Sequence, residues 1–269
     1  MTHDPVEARE FYDELAPYYD LIFENWDASM ARQGAALAPL IERELGPAAA
    51  PASLRVLDAA CGIGTQALAL AARGFHVTAR DVSPGAIGRL RREANARGLT
   101  IDAAVADMRA VAETLAPPFD VVLAFDNSVP HLLSDADIEL ALRQFHSVMR
   151  PGGVLLCSVR DYDNVERGVP ATFEYGERRR AGEVYRPRQE WTWESTTHYR
   201  IEFIIEKGEP RSAPITVLRT VTRYYAVSVA RLLELMARAG FVNCRRLDET
   251  MYQPILIGRP PVPAAGPTA

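Results

Sequence analysis

The chain has 269 residues, 48% of them hydrophobic, enough to bury the core of one large domain, or of one domain with an attached lobe, but not of two independent domains. Its formal net charge of -5 at pH 7 supplies no broad basic field, so a nucleic acid is a poor candidate partner. No stretch approaches the roughly 18 uninterrupted apolar residues of a spanning helix, and Met1–Pro5 is not a basic segment leading into an apolar run, so the expectation is a soluble cytoplasmic protein with no membrane partner.

Residues 6 to 45 carry apolar positions at helical spacing, Leu15, Tyr18, Tyr19 and Ile22 in one segment and Leu37, Leu40, Ile41 and Leu45 in another. They predict two helices placed to act as a lid. The Ala/Pro stretch Gly46–Pro51 reads as a linker, which makes residues 1–50 an N-terminal helical lid. From Leu54 strands and helices alternate: Leu54–Asp58, a helix from about Thr65 to Arg73, Phe75–Arg80, a helix from about Pro84 to Ala96, then Ile101–Val105. That rhythm predicts a parallel sheet. Phe119–Phe125 is nearly continuous in apolar residues, as a central strand covered on both faces requires, and it runs into Asp126-Asn127-Ser128. A helix from about Asp135 follows, ended by Arg150-Pro151-Gly152-Gly153, and the strand Val154–Val159 delivers Arg160.

After Arg160 the rhythm changes. Residues 161 to 182 are polar, with Arg178-Arg179-Arg180 expected as a solvated loop, and Glu190–Ser195, His198–Glu206 and Ile215–Ala226 read as strands without helices between them. Residues 51–160 are thus expected as the core, 161–226 as an antiparallel insertion, 227–259 as a helix and the last core strands (Phe241–Leu247 and Met251–Ile257), and 260–269 as a flexible tail. The expected class is α/β, with a mostly parallel seven-stranded sheet, a helical lid and a β insertion. Cys61, Cys157 and Cys244 show neither metal-ligand nor redox spacing, so no metal is expected.

Val56–Thr65 reads as a buried strand entering a glycine turn that opens a helix. Gly62 and Gly64 let the backbone approach a ligand, and Asp58 adds a carboxylate that suits a cation better than a phosphate. The pair alone is weak, because Ala67 stands where a dinucleotide fingerprint has its third glycine. Asp81, closing the second strand, can bond the hydroxyls of a ribose, and Asp107-Met108 after the third can accept from an adenine amine and cover its face. Together these residues describe an adenosine with a positively charged arm.

Asp58–Gly64, Asp81 and Asp107-Met108 resemble the cofactor motifs of class I S-adenosylmethionine-dependent methyltransferases. Asp126–Leu132, Val159–Asp163 and Thr222–Tyr225 extend a closer resemblance, to the glycine and sarcosine N-methyltransferases, over nearly the whole chain. The resemblance implies a Rossmann-like methyltransferase fold with S-adenosyl-L-methionine as cofactor and a small-molecule acceptor, and leaves homo-oligomerisation open. It implies that Asp58, Ala60, Gly62 and Gly64 serve the methionine arm, Asp81 with Val82 the ribose, Asp107 and Met108 the adenine, and Arg32 the methionine carboxylate, with Tyr12, Tyr19 or Trp26 closing over the pocket.

For the acceptor, the resemblance puts Arg160 on a carboxylate, with Asn127 and Tyr224 as catalytic groups flanking an amine and Tyr19 beside them. The competing role for Arg160 is an ion pair with Asp161 or Asp163, but the carboxyl end of a strand in an open sheet is where ligands bind. One of each pair Tyr18-Tyr19 and Tyr224-Tyr225 is expected to be packing, and His131 an anchoring hydrogen-bond group. The expected reaction is N-methylation of a small amino acid or an amine bearing a carboxylate. The alternatives are O- or C-methylation of a specialised metabolite, conversion of S-adenosylmethionine without a separate acceptor, methylation of a nucleic-acid base, against which Asp126-Asn127-Ser128-Val129 stands in place of Asn-Pro-Pro-Tyr, or a non-catalytic binding role.

Overall fold

The computed structural model describes residues 6–46, 50–116, 118–208 and 213–263. The opening Met1–Pro5, part of the expected linker (47–49) and most of the expected tail (264–269) lie outside them. Two helices come first, α1 (Val6–Leu15) and α2 (Trp26–Leu45), joined through a 3-10 turn at Tyr19–Ile22. Asn25 caps α2 by accepting from the Ala28 N–H at 2.8 Å. None of the described helices is long and apolar enough to cross a membrane.

Strand β1 (Arg55–Asp58) is buried over its last three residues, so it needs neighbours on both edges and cover on both faces. Through α3 (Thr65–Ala71) the chain reaches β2 (His76–Asp81), and through α4 (Pro84–Ala96) it reaches β3 (Asp102–Val105), all parallel on one side of β1. Strand β4 (Phe119–Ala124) then pairs with the other edge of β1 and is followed by α5 (Asp135–Val148) and β5 (Met149–Ser158). The Arg150–Gly153 run therefore belongs to the strand and does not end the helix. Gly152 takes a left-handed φ of 72°, and the β4 pairing skips from Phe119↔Met149 to Val121↔Val154 to absorb it.

Beyond Arg160 come β6 (Ala171–Glu174), β7 (Arg178–Arg180), β8 (Glu183–Trp193), β9 (His198–Lys207) and β10 (Ile215–Tyr225), an antiparallel sheet ordered β10-β9-β8-β6 with β7 paired to β8. The Arg178–Arg180 run is thus a strand and not a solvated loop. It hairpins onto β8 through Ala181 (φ 51°) and Gly182 (φ 81°), and its side chains reach inward, Arg178 to the Phe23 carbonyl at 2.7 Å and Arg180 to that of Pro17 at 2.9 Å. For the same reason β8 starts seven residues before the expected Glu190.

Helix α6 (Val229–Arg238), β11 (Val242–Leu247) and β12 (Ile255–Arg259) complete the main sheet in the order β11-β12-β5-β4-β1-β2-β3. Only β12 runs antiparallel to its neighbours, so the sheet is the mostly parallel, seven-stranded Rossmann-like one expected. Successive residues of the central strands face opposite layers. Leu57, Val122 and Leu155 pack with α5 and α6, whereas Val56, Val121 and Leu156 pack with α2, α3 and α4.

Helix α1 ties the two sheets together. Phe11 and Leu15 pack on Phe203, Ile205 and Leu218 of the insertion, and Glu7 pairs with Arg223 at 2.7 Å. On the other side, Asp13 Oδ1 accepts from the Ser83 hydroxyl (2.6 Å) and the Gly85 N–H (2.7 Å) at the start of α4.

Gly64, the residue before α3, has a φ of 101°, and a Cβ there would run into the side chain of Leu90 on α4. Gly64→Ala combines backbone strain with overpacking and is expected to cost about 2–4 kcal/mol of stability, read as a lower urea midpoint at unchanged slope.

Candidate active site

The chain leaves β1 for one flank of the sheet and begins β4 on the other, so the ends of these neighbouring strands open a crevice at the topological switch point. From β1 come Ala59–Gly62, from β2 Asp81 and Val82, and from β4 Phe125, Asp126 and Ser128. They line a cavity roofed by Ala8 and Tyr12 of α1 and by Tyr19. Asp81 holds the glycine turn in place, accepting from the Gly62 N–H at 2.8 Å with one oxygen and from the Ser83 N–H at 2.9 Å with the other.

Carboxylates dominate this cavity's electrostatics. Asp58 is fully buried beneath the glycine turn, outside the cavity's lining, and neither of its oxygens has a hydrogen-bond partner of good geometry among the described residues, although the Ala60 and Ala67 N–H groups lie close enough to favour its charge. Burial, reinforced by the nearby carboxylates of Asp81 and Asp126, pushes its carboxyl up to about 8. Burial also raises Asp81, against the pull of its two N–H donors, and Asp126, against the Gln66 amide. A cation in the cavity relieves all three.

A second cavity, about 1050 Å³, lies between the lid, the insertion sheet and the β11–β12 connection. Phe11, Tyr19, Tyr175, Phe203 and Tyr224 give it aromatic walls, and Arg160 is its cation. The Arg160 guanidinium lies 4.3 Å over the Trp191 ring and donates to the Tyr199 hydroxyl at 3.0 Å, and no carboxylate among the described residues pairs with it. Asp161, its expected competitor, pairs instead with Arg246 at 2.7 Å.

Tyr19, Ala60, Gly62, Asp81, Val82, Asp107 and Met108 all line the first cavity. Asp58 and Gly64 do not line it: one lies beneath the turn and the other packs on α4. Arg32 does not line the first cavity; it lines a third, with Gln33, Ala36 and Glu249–Gln253, which Asp126 borders together with the first. Ser29 and Gln33, four apart on α2, line both this third cavity and the second. Trp26 does not close the pocket either. Its indole donates to Thr65 Oγ1 at 3.0 Å, and Arg89 and Arg97 lie over its ring. Asp107 is engaged by Arg109 at 2.7 Å, and Arg109, unanticipated from sequence, lines the same cavity.

Asn127 and Tyr224 both line the second cavity. The Asn127 amide is a brace, donating to the Tyr162 hydroxyl at 2.7 Å and accepting from the Arg160 N–H at 3.0 Å. Of the tyrosine pairs, Tyr19 and Tyr224 line the cavities, while Tyr18 meets Tyr185 and Tyr225 bonds Asp135 at 3.0 Å. His131 is an anchor. It meets the Tyr12 hydroxyl at 2.9 Å and the Thr222 hydroxyl at 3.3 Å, and burial pushes it down to about 3, so it is neutral. Sequence reasoning did not single out Gln66, which donates to Gln33 Oε1 at 2.7 Å and to Asp126 Oδ2 at 2.8 Å and links three elements distant in the chain.

Residues 56–153, from β1 into β5, match the family described as a methyltransferase domain. Residues 56–153 form a methyltransferase domain. The glycine/sarcosine N-methyltransferase of Parasynechococcus marenigrum (strain WH8102) is 27% identical over 177 residues, 66% of this chain but only 58% of that protein. The tRNA 5-carboxymethoxyuridine methyltransferase of Escherichia coli (strain K12) is 29% identical over 220 residues, 70% of this chain and 81% of that one. Among solved structures, an S-adenosylmethionine-bound amino pentose methyltransferase from Micromonospora echinaspora superposes with a TM-score of 0.72 at 20% identity, covering 90% of this chain and 94% of its own. The methyltransferase domain thus contributes most of the first cavity, and segments outside it contribute most of the second.

Proposed function

We propose that this methyltransferase moves the methyl group of S-adenosylmethionine to the nitrogen of an amine that also bears a carboxylate. S-adenosylmethionine supplies a methyl group made electrophilic by a sulfonium. The first cavity supports the reading: the carboxyls of Asp58 beneath the turn and of Asp81 and Asp126 in its lining favour a cation, the turn at Ala60–Gly62 offers backbone to a ligand, and Asp81 stands at the end of β2 where ribose hydroxyls are bonded. Met108 offers an apolar face to adenine, and Asp107, held by Arg109, an acceptor at its edge.

The single observation that carries the acceptor reading is Arg160. A guanidinium held between Trp191 and Tyr199, facing a cavity, with no carboxylate of the described residues beside it, is poised for a carboxylate from outside. The chain's own task is then alignment and exclusion of water, and holding reactants in register accounts for about 7–11 kcal/mol of a barrier. The cavity's size and aromatic walls suit acceptors larger than glycine as well. Incubation with S-adenosylmethionine and glycine, sarcosine or phenylalanine, read by mass spectrometry, is expected to give an N-methylated amino acid and S-adenosylhomocysteine. Methylation only of oxygen or carbon nucleophiles, or consumption of S-adenosylmethionine with no acceptor present, would overturn the amine reading.

A further inference from the structure

Among the described residues only three side chains line both cavities, Tyr12, Tyr19 and Asp126, so they mark where the two reactants meet. Burial raises both tyrosines well above their ordinary range, which leaves their hydroxyls as protonated hydrogen-bonding groups. Asp126 differs. It is the carboxylate at this boundary, no cation among the described residues pairs with it, and only its Oδ2 accepts a hydrogen bond, from Gln66. Protein surrounds its side chain, yet the surface it keeps lies along these two cavities and along the third that Arg32 lines.

The backbone holds this carboxylate in place. Asp126 and Asn127 take left-handed φ values of 54° and 65°, pinned by the Asp126 N–H donating to Ser158 Oγ at 2.7 Å and the Asn127 N–H donating to the Ser158 carbonyl at 3.2 Å. An amine at neutral pH is an ammonium, which has no lone pair to offer and is repelled by a neighbouring sulfonium. Neutral His131 is committed to the Tyr12 and Thr222 hydroxyls, and burial, which pushes it down to about 3, makes it a weak base; Arg160 is a cation.

We propose that Asp126 is the catalytic base, taking a proton from the acceptor ammonium onto Oδ1; this rests on the amine reading above. An N–H bond breaks and the Asp126 O–H bond forms, with the electron pair staying on nitrogen. The nitrogen forms its bond to the methyl carbon as the carbon–sulfur bond yields its electrons to sulfur, and Asp126 returns its proton to water from the acceptor side. Gln66, bonding Oδ2, keeps Oδ1 turned toward the boundary. Asp126→Asn preserves the shape, the acceptor for Gln66 and a residue tolerant of positive φ, so a purely structural role would survive it.

The test uses the full chain with glycine, sarcosine and phenylalanine as acceptors. Asp126→Asn is expected to lower kcat about 100-fold or more while the calorimetric Kd for S-adenosylmethionine stays within about threefold. Asp126→Gly, which accepts the same backbone, is expected to behave alike. Wild-type kcat in both variants would overturn the assignment and leave the amine reading standing. An equal loss of S-adenosylmethionine affinity would overturn it too, because the carboxylate would then serve the donor. If the wild type methylates none of the three amines, the amine reading and this one fall together.

Discussion

Asp58→Asn is expected to raise the melting temperature of the cofactor-free protein and to weaken S-adenosylmethionine binding at least tenfold. In the unfolded chain this carboxyl ionises near its ordinary 3.8; in the fold it holds its proton up to about 8. The folded state therefore binds a proton that the unfolded state has lost, and its stability from this group falls as pH rises through that window. The penalty at pH 8 is on the order of a few kcal/mol. His131 acts in the opposite sense, since it is neutral in the fold down to about 3 and costs stability as pH falls below its ordinary 6.5. The informative quantity is therefore the difference between wild type and variant, which should grow from pH 5 to pH 8 in thermal melts. A cation in the cavity should ionise Asp58, so wild-type binding near pH 7 should release a proton, seen in calorimetry across buffers of different ionisation enthalpy. Loss of that proton in Asp58→Asn would confirm the linkage. An unchanged Kd together with parallel stability profiles would refute it.

Arg160 should separate the two reactants. Arg160→Ala is expected to raise the KM for a carboxylate-bearing acceptor about 100-fold, as loss of one member of a partly buried charge pair does, with the Kd for S-adenosylmethionine within about twofold. Arg160→Lys restores the charge but neither the fork that meets a carboxylate nor the flat face over Trp191, so about tenfold of the loss should remain. Steady-state kinetics with the acceptor identified by the panel, beside calorimetry with the donor, gives both numbers. Equal losses on both sides would show that Arg160 holds the fold and not the acceptor.

What could be read from sequence was what local chemistry determines. The glycine turn after β1, Asp81 at the end of β2 and Asp107-Met108 after β3 each sit one strand-end from an apolar run, and each lies where the alternation of strand and helix puts it. Arg160 was legible because it follows a strand. Asp126 and Gln66 were not, since their junction exists only once the ends of β1 and β4 stand side by side and Gln33 arrives from the lid. Arg32, one position before Gln33 on α2, lines with it a third cavity that Asp126 also borders, an arrangement that sequence near a lid does not determine. The arginine strand β7 was hidden because its turn is Ala181-Gly182 and not the Asn-Gly or Asp-Gly that announces a hairpin.

The two cavities are built by different parts of the chain, and that division bears on descent. Apart from Ala8, Tyr12 and Tyr19, the donor cavity comes from residues 59 to 132, inside the matched domain, where most changes would touch the parallel sheet or the turn. The second cavity takes only Asp126 and Asn127 from that domain and draws its other walls from the lid, Arg160 after β5, the insertion and the β11–β12 connection, including Tyr252 at 97% exposure. Those surfaces can drift by substitution without loosening the donor's cradle. A lineage built this way keeps its reagent and changes its clientele.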